Sequence, residues 1–157
     1  MKPYRVVLFG HRDLREQRMV EERLFPLLGD LIRTKPFVEI CVGRNGEFDV
    51  FAASVVKRAQ KIFGEENSEM TLVLPYTQKD LLYYERYYDN VIVPDCARTR
   101  HPKGAITKRN QWMVETCDLL ICYVERQRGG AWSAMKYAEK IGKRIINLSS
   151  DEFENKS

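Results

Sequence analysis

Val6, Val7, Leu8 and Phe9 form an unbroken apolar run that ends in Gly10-His11-Arg12. Such a run is apolar on both faces of any strand it forms, which suits a strand buried inside a parallel sheet. Comparable runs recur as "VEICVG" at 38–43, "TLVLPY" at 71–76, "DLLICYV" at 118–124 and "RIINL" at 144–148, with the short "VIVP" at 91–94 as a further candidate. Between them, apolar residues fall at helical spacing: Val20, Leu24, Leu28 and Leu31; Phe51, Val55 and Ala59; Met113 and Cys117; Met135 and Ala138. Pro26 sits inside the first of these segments and predicts a kink or break near Phe25. Strands that alternate with helices imply an α/β architecture, a parallel sheet covered on both faces.

The segments between these elements are short. The linker-like pieces are "GEENSEM", the loop "PDCARTRHPKG" and a polar tail at 150–157, so one domain over 1–149 is expected. A chain of 157 residues, 44% hydrophobic and 31% charged, is large enough for one real core. In "LLYYERYYD" the pairs Tyr83/Tyr87 and Tyr84/Tyr88 lie on adjacent helical turns and form a stripe suited to the core or to a subunit contact. The basic start of the chain leads into an apolar run that His11, Arg12 and Asp13 interrupt before signal-peptide length, and nothing later approaches a membrane span. A cytoplasmic protein with no membrane partner is therefore expected.

Charge alone does not choose a ligand. A net charge of +4 fits an anionic small molecule as readily as nucleic acid. Cys41, Cys96, Cys117 and Cys122 include no C-x-x-C pair and have only His11 and His101 as further soft ligands, so no metal site is expected and the thiols are taken as structural.

Chemistry gathers instead at the ends of strands. In an open parallel sheet, ligands bind beyond the carboxyl ends of the strands, where strand order reverses. There the first strand delivers Gly10, His11 and Arg12, the second "GRNGEFD" at 43–49, and the 118–124 strand "RQRGG" at 126–130. Gly129-Gly130 precedes a helix, and the free N–H groups of a helix start, together with Arg126 and Arg128, make an anion cradle to which Ser133 adds a hydroxyl. Glu47 and Asp49 bring carboxylates to the same edge, where they grip a ribose, act as a base, or favour the start of their own helix. A last segment offers Lys108, Arg109 and Asn110, preceded by a stretch in which Arg98, Arg100 and Lys103 are basic and no residue is acidic. That patch suits a nucleic-acid backbone, although Trp112 is its one aromatic residue.

The order of "FGHRDL", "GRNGEFDVFAASVV", "RNQWMVETCDLLICYV" and "RGGAWSAMKYAEKIGKRIINL" resembles the YpsA-like proteins of the SLOG superfamily, which joins the DNA-processing DprA/Smf proteins to the LOG phosphoribohydrolases. The resemblance spans most of the chain. It implies a Rossmann-like three-layer αβα sandwich with a mostly parallel sheet, and a nucleotide or nucleotide-derived ligand over the loops just described. Carried over by position, the G-H-R turn falls on Gly10, His11 and Arg12, the glycine-rich second loop and its acid on Gly43, Gly46, Glu47 and Asp49, the R-N pair on Arg109 and Asn110, and the double glycine on Gly129 and Gly130. LOG enzymes carry P-G-G-x-G-T-x-x-E. Here Arg128 replaces the proline, Trp132 the third glycine, Ser133 the threonine and Lys136 the catalytic glutamate, which argues against hydrolysis by that route.

These readings combine into one expectation, a nucleotide-binding SLOG domain that needs no cofactor. Gly10, His11, Arg12, Arg128, Gly129, Gly130 and Ser133 hold phosphate; Glu47 and Asp49 hold sugar or supply a base; Gly43, Gly46, Arg109 and Asn110 complete the site. A phosphoribohydrolase-like N-glycosidase using Glu47, and a DprA-like binder of single-stranded DNA using the basic loop, are the rivals. The tyrosine stripe and the family suggest a homodimer. Gly10 is expected to be needed for ligand approach, so that a side chain there costs affinity more than stability, and Lys136 is expected to point away from the site.

Overall fold

Alternation along the first strand decides the layering. In the computed structural model, which describes residues 2–95, 101–151 and 153, β1 (Tyr4–Gly10) sends Val6 and Leu8 to one face and Val7 and Phe9 to the other. Each face meets its own core. Val6 and Leu8 pack with α1 (Gln17–Thr34) and α2 (Glu47–Phe63) through Val20, Leu24, Phe48 and Val55, while Val7 and Phe9 pack with Met113, Val114, Ala131, Ala134 and Ala138 of α4 (Pro102–Thr116) and α5 (Gly130–Lys140). The double-sided apolar run is thus the middle layer of a three-layer sandwich.

The remaining strands are β2 (Val38–Val42), β3 (Ser68–Val73), β4 (Asn90–Ile92), β5 (Leu119–Tyr123) and β6 (Arg144–Asn147), with the short α3 (Leu81–Tyr87) between β3 and β4. Among the described residues they make one six-stranded sheet in the order β4-β3-β2-β1-β5-β6, and every pairing is parallel, where a mostly parallel sheet was expected. The chain builds outward from β1 to β4, crosses back and continues on the other side, so strand order reverses between β1 and β5. Asp118 fixes that junction. Its side chain accepts the Arg5 N–H at 2.8 Å and its own N–H donates to the Arg5 carbonyl at 2.8 Å.

Two expectations need adjustment. The third strand begins at Ser68 and stops at Val73: Ser68 pairs with Val38 at the start of β2, and Asp89 accepts the Met70 N–H at 2.7 Å nearby. Pro26 does not break α1, which runs continuously through it. Both Pro26 and Glu22, whose carbonyl loses its helical partner, are solvent-exposed, while Val20, Leu24, Leu28 and Ile32 on the opposite stripe are fully buried. The freed carbonyl lies on the solvent-facing side, and packing of the buried stripe carries the helix through the proline.

Of the tyrosine stripe, Tyr84 and Tyr88 enter the core, whereas Tyr83 stays 60% exposed. Phe153, within the segment expected to be a polar tail, packs against the α1 side of the core beneath the Arg23 guanidinium. Cys41, Cys117 and Cys122 are buried free thiols, and Cys96 lies outside the described residues. Among the described residues no helix is long and apolar enough to cross a membrane, and no group of three or more His, Cys, Asp or Glu is placed to hold a metal ion.

Gly10 is where β1 leaves the sheet. A Cβ built there would collide with Cγ of the fully buried Phe48 ring, so the core around it must shift. The expectation that a side chain at Gly10 costs affinity more than stability is therefore corrected: the first cost is to the core. Gly10→Ala should lower the unfolding free energy by about 1–3 kcal/mol, the usual penalty of overpacking, and its cost should shrink once Phe48→Ala has removed the ring, so that the double variant loses less than the sum of the two single ones. Urea unfolding of the three variants measures this.

Candidate functional site

Beyond the carboxyl ends of β1 and β5 the two chains splay, and a cleft of about 570 Å³ opens between them. Its size is that of a small-molecule site and its position is the reversal point of the sheet. Gly10, His11, Arg12 and Asp13 form one wall, and Arg126, Arg128, Gly129, Gly130 and Ala131 the opposite one. Asn45, Gly46 and Asp49 enter from the start of α2, and Lys103, Ile106, Thr107, Arg109 and Asn110 from α4. Of the residues expected in the site, Gly10, His11, Arg12, Gly46, Asp49, Arg109, Asn110, Arg128, Gly129 and Gly130 all face this one cleft.

Three do not. Glu47 lies on the far side of the loop, where its carboxylate accepts the Leu14 N–H at 2.8 Å and so closes the turn after β1. Ser133 is exposed on α5 outside the cleft; its N–H continues the helix by donating to the Gly129 carbonyl. Gly43 is buried beneath the cleft, against the Arg109 guanidinium and the Asp49 carboxylate. Lys136 points away as expected and pairs with Glu139 at 2.9 Å.

His11 holds the walls together. It is only 6% exposed, and its Nε2 accepts the backbone N–H groups of Glu125 at 3.0 Å and Arg126 at 3.3 Å. Both bonds need the Nε2 lone pair, so the ring is the neutral Nδ1–H tautomer. Burial, reinforced by the nearby Arg126 cation, holds its pKa below the ordinary histidine value. His11 is thus a clamp between two loops, and its Nε2 is already committed. Asp13 adds a second link by a bidentate pair with Arg126, Oδ1–Nη2 2.5 Å and Oδ2–Nη1 3.3 Å, which lowers the Asp13 pKa. Behind the β5 wall, Asn147 of β6 accepts the Val124 N–H at 3.1 Å and donates to the Val124 carbonyl at 2.9 Å, extending the sheet where β5 ends.

The floor carries a buried cation. Arg109, 2% exposed, donates from Nη1 to the Val73 carbonyl at 2.7 Å and from Nε to the Asn110 side chain at 2.8 Å. Burial works against its charge, and Asp49 across Gly43 is the nearest compensation. The Asp49 carboxyl is itself pushed up by burial, opposed by the Asn45 N–H at 2.9 Å and by Arg109. Five cationic side chains and two carboxylates line the cleft, an excess of three positive charges. Asp13 neutralises Arg126, while Arg12, Lys103 and Arg128 make no ion pair or side-chain hydrogen bond among the described residues. At the head of α5, Gly129 has φ +93°, which favours glycine, and Gly130 opens the helix into the cleft. Sequence reasoning missed Asp13, Ile106, Thr107 and Asn147. Asp13 stood inside the "FGHRDL" stretch, but the others carry no signal until β6 and α4 are placed.

No protein-family model matches the chain, and neither does any curated protein. Solved structures do. DNA processing protein A (DprA) from Streptococcus pneumoniae has a TM-score of 0.66 at 15% identity, covering 91% of this chain and 49% of that one. DprA from Helicobacter pylori has a TM-score of 0.62 at 16% identity, covering 91% of this chain and 64% of that one, in a structure concerned with its single-stranded DNA binding mode. The chain therefore spans between about half and two thirds of these proteins. It shares the DprA fold.

The clamp gives a signed pH dependence. Because the folded pKa of His11 lies below the ordinary value of about 6.5, the unfolded chain takes up the proton first as pH falls. The contribution of His11 to stability is complete above that value and is lost as pH drops from it to the folded pKa. His11→Ala should cost about 1–3 kcal/mol at pH 8, two hydrogen bonds of roughly 0.5–1.5 kcal/mol each, and progressively less below pH 6.5. Urea midpoints of both proteins across pH test it; a gap independent of pH would show that the clamp does not titrate.

Proposed function

We propose that the protein binds the phosphate of a nucleotide or nucleotide-derived small molecule in this cleft, as a YpsA-like member of the SLOG superfamily. One observation carries the reading: Arg12, Lys103, Arg128 and the N-terminus of α5 converge on a single cavity, and among the described residues the three side chains have no counter-ion. Unpaired cations beside free helical N–H groups favour a compact polyanion, and a phosphoryl group satisfies both kinds of donor at once. Arg12 and Arg128 approach from opposite walls and so grip it from two sides. The enclosed volume of about 570 Å³ suits a mononucleotide.

A DprA-like role in binding single-stranded DNA is the second reading, favoured by the shared fold and by the DNA-binding theme of the Helicobacter pylori structure. In the basic loop expected to support it, Lys103 lines the cleft, while Arg98 and Arg100 lie outside the described residues. A hydrolytic role would fall to Asp49 in place of Glu47, since Asp49 faces the cleft whereas the Glu47 carboxylate is held on the far side by the Leu14 N–H.

Calorimetric titration separates the readings. Arg12→Ala and Arg128→Ala should each weaken a nucleoside monophosphate by about 1.5–3 kcal/mol, the range for hydrogen bonds to a charged group, and leave the unphosphorylated nucleoside unchanged. Equal losses for both ligands would remove the phosphate assignment. The DNA reading instead requires oligonucleotide affinity that falls steeply with salt and exceeds that of any mononucleotide. Release of free base, abolished by Asp49→Asn, would mark turnover.

A further inference from the structure

A second hollow lies on the other side of the loop that walls the cleft. Arg12, Asn45 and Gly46 line both. The wall is one backbone thick: a Cβ on Gly46 would lie 2.6 Å from the Arg12 Cα, and the Glu47 N–H donates to the Arg12 carbonyl at 2.8 Å. The two faces of this wall differ in chemistry. The cleft side is lined mainly by charged groups, whereas the hollow, with Arg12 and Arg44 beside it, adds an apolar floor of Val50, 47% exposed, Phe51 of α2 and Tyr87 of α3. Tyr87 is held in place by the Lys57 ammonium 3.8 Å from its ring centroid and by the edge-on Tyr88 ring at 5.0 Å.

Resting on the nucleotide reading above, we infer that this hollow is a base subsite: the phosphate occupies the cleft, the chain of the ligand crosses the saddle at Arg12 and Asn45, and a heteroaromatic base lies on Val50, Phe51 and Tyr87. The apolar floor suits the π-face of any base. Gln17 and the Glu47 carboxylate stand at the rim, a donor-acceptor and an acceptor for its polar edge. A flat ring with polar edges and a tethered anion satisfies both compartments at once, while an aliphatic partner would leave the rim unpaired and a bare anion would leave the apolar floor in water. The same nucleotide unit is found free or within a single strand, and Tyr87 would serve either by stacking.

The test compares ribose 5-phosphate with adenosine, guanosine, cytidine and uridine 5′-monophosphates, and with oligothymidylate, by calorimetry. The variants are Tyr87→Ala and Val50→Glu, the latter at an exposed helical site that should leave the fold unchanged. At least one monophosphate should bind about tenfold more tightly than ribose 5-phosphate, the scale of one stacked base. Both variants should abolish that advantage and leave ribose 5-phosphate unaffected. An advantage that survives both variants would place the base inside the cleft, for instance on Ile106, and overturn the subsite. So would equal binding of all monophosphates and ribose 5-phosphate, which nonetheless leaves the phosphate reading standing. Oligothymidylate binding that drops about tenfold in both variants, with no mononucleotide bound, would support the subsite and identify a strand as its source. Failure of every probe to bind would sink both readings.

Discussion

Everything at the site depends on the divergence of β1 and β5, two neighbouring parallel strands whose chains must leave the sheet toward opposite layers. Divergence by itself creates a gap lined by loose backbone. Here the gap is spanned by a buried neutral imidazole, whose one lone pair receives two N–H groups that β5 can no longer use in the sheet. That bond pattern fixes how far the walls stand apart. The Asp13–Arg126 pair lies outside it, nearer solvent, where an ion pair contributes little to stability but orients the guanidinium.

The charges divide by burial. Arg109 is committed to the fold, since its Nη1 bond to the Val73 carbonyl ties α4 to the end of β3, which ladder pairing no longer serves. An arginine suits this because its guanidinium stays charged when desolvated and its donors diverge in fixed directions. Arg12, Lys103 and Arg128 are exposed and uncommitted. One buried cation shapes the floor, and three exposed ones face whatever enters.

The fold was legible because a run apolar on both faces admits few solutions: Val6 to Phe9 needed two cores, and helices of matching spacing were available to supply them. Strand ends were less legible where tertiary pairing decided them, as the register of Ser68 with Val38 does for β3. At the site, the sequence located the loops but not the direction of each side chain. Glu47 and Asp49 are two residues apart at the start of one helix, hence about 200° apart around its axis, and only Asp49 can face the cleft. His11 lines the cleft, but nothing in "FGHRD" tells that its acceptor would meet N–H groups 114 and 115 residues away. Clamps of this kind are tertiary and leave no periodic trace.

Gly10 shows why glycine at a strand end is an ambiguous sign of ligand approach. The residue lines the cleft, yet what excludes a Cβ there is the Phe48 ring. Phe48 follows Glu47, which closes the turn that Gly10 begins by holding the Leu14 N–H. Packing, turn and cleft wall therefore share a few adjoining atoms. Gly129 differs, because nothing lies within 4 Å of a Cβ built there and only its φ of +93° asks for glycine. A side chain at Gly129 would strain the backbone that aims the α5 N–H groups without disturbing the core, so this glycine, unlike Gly10, reports on the cleft rather than on the fold.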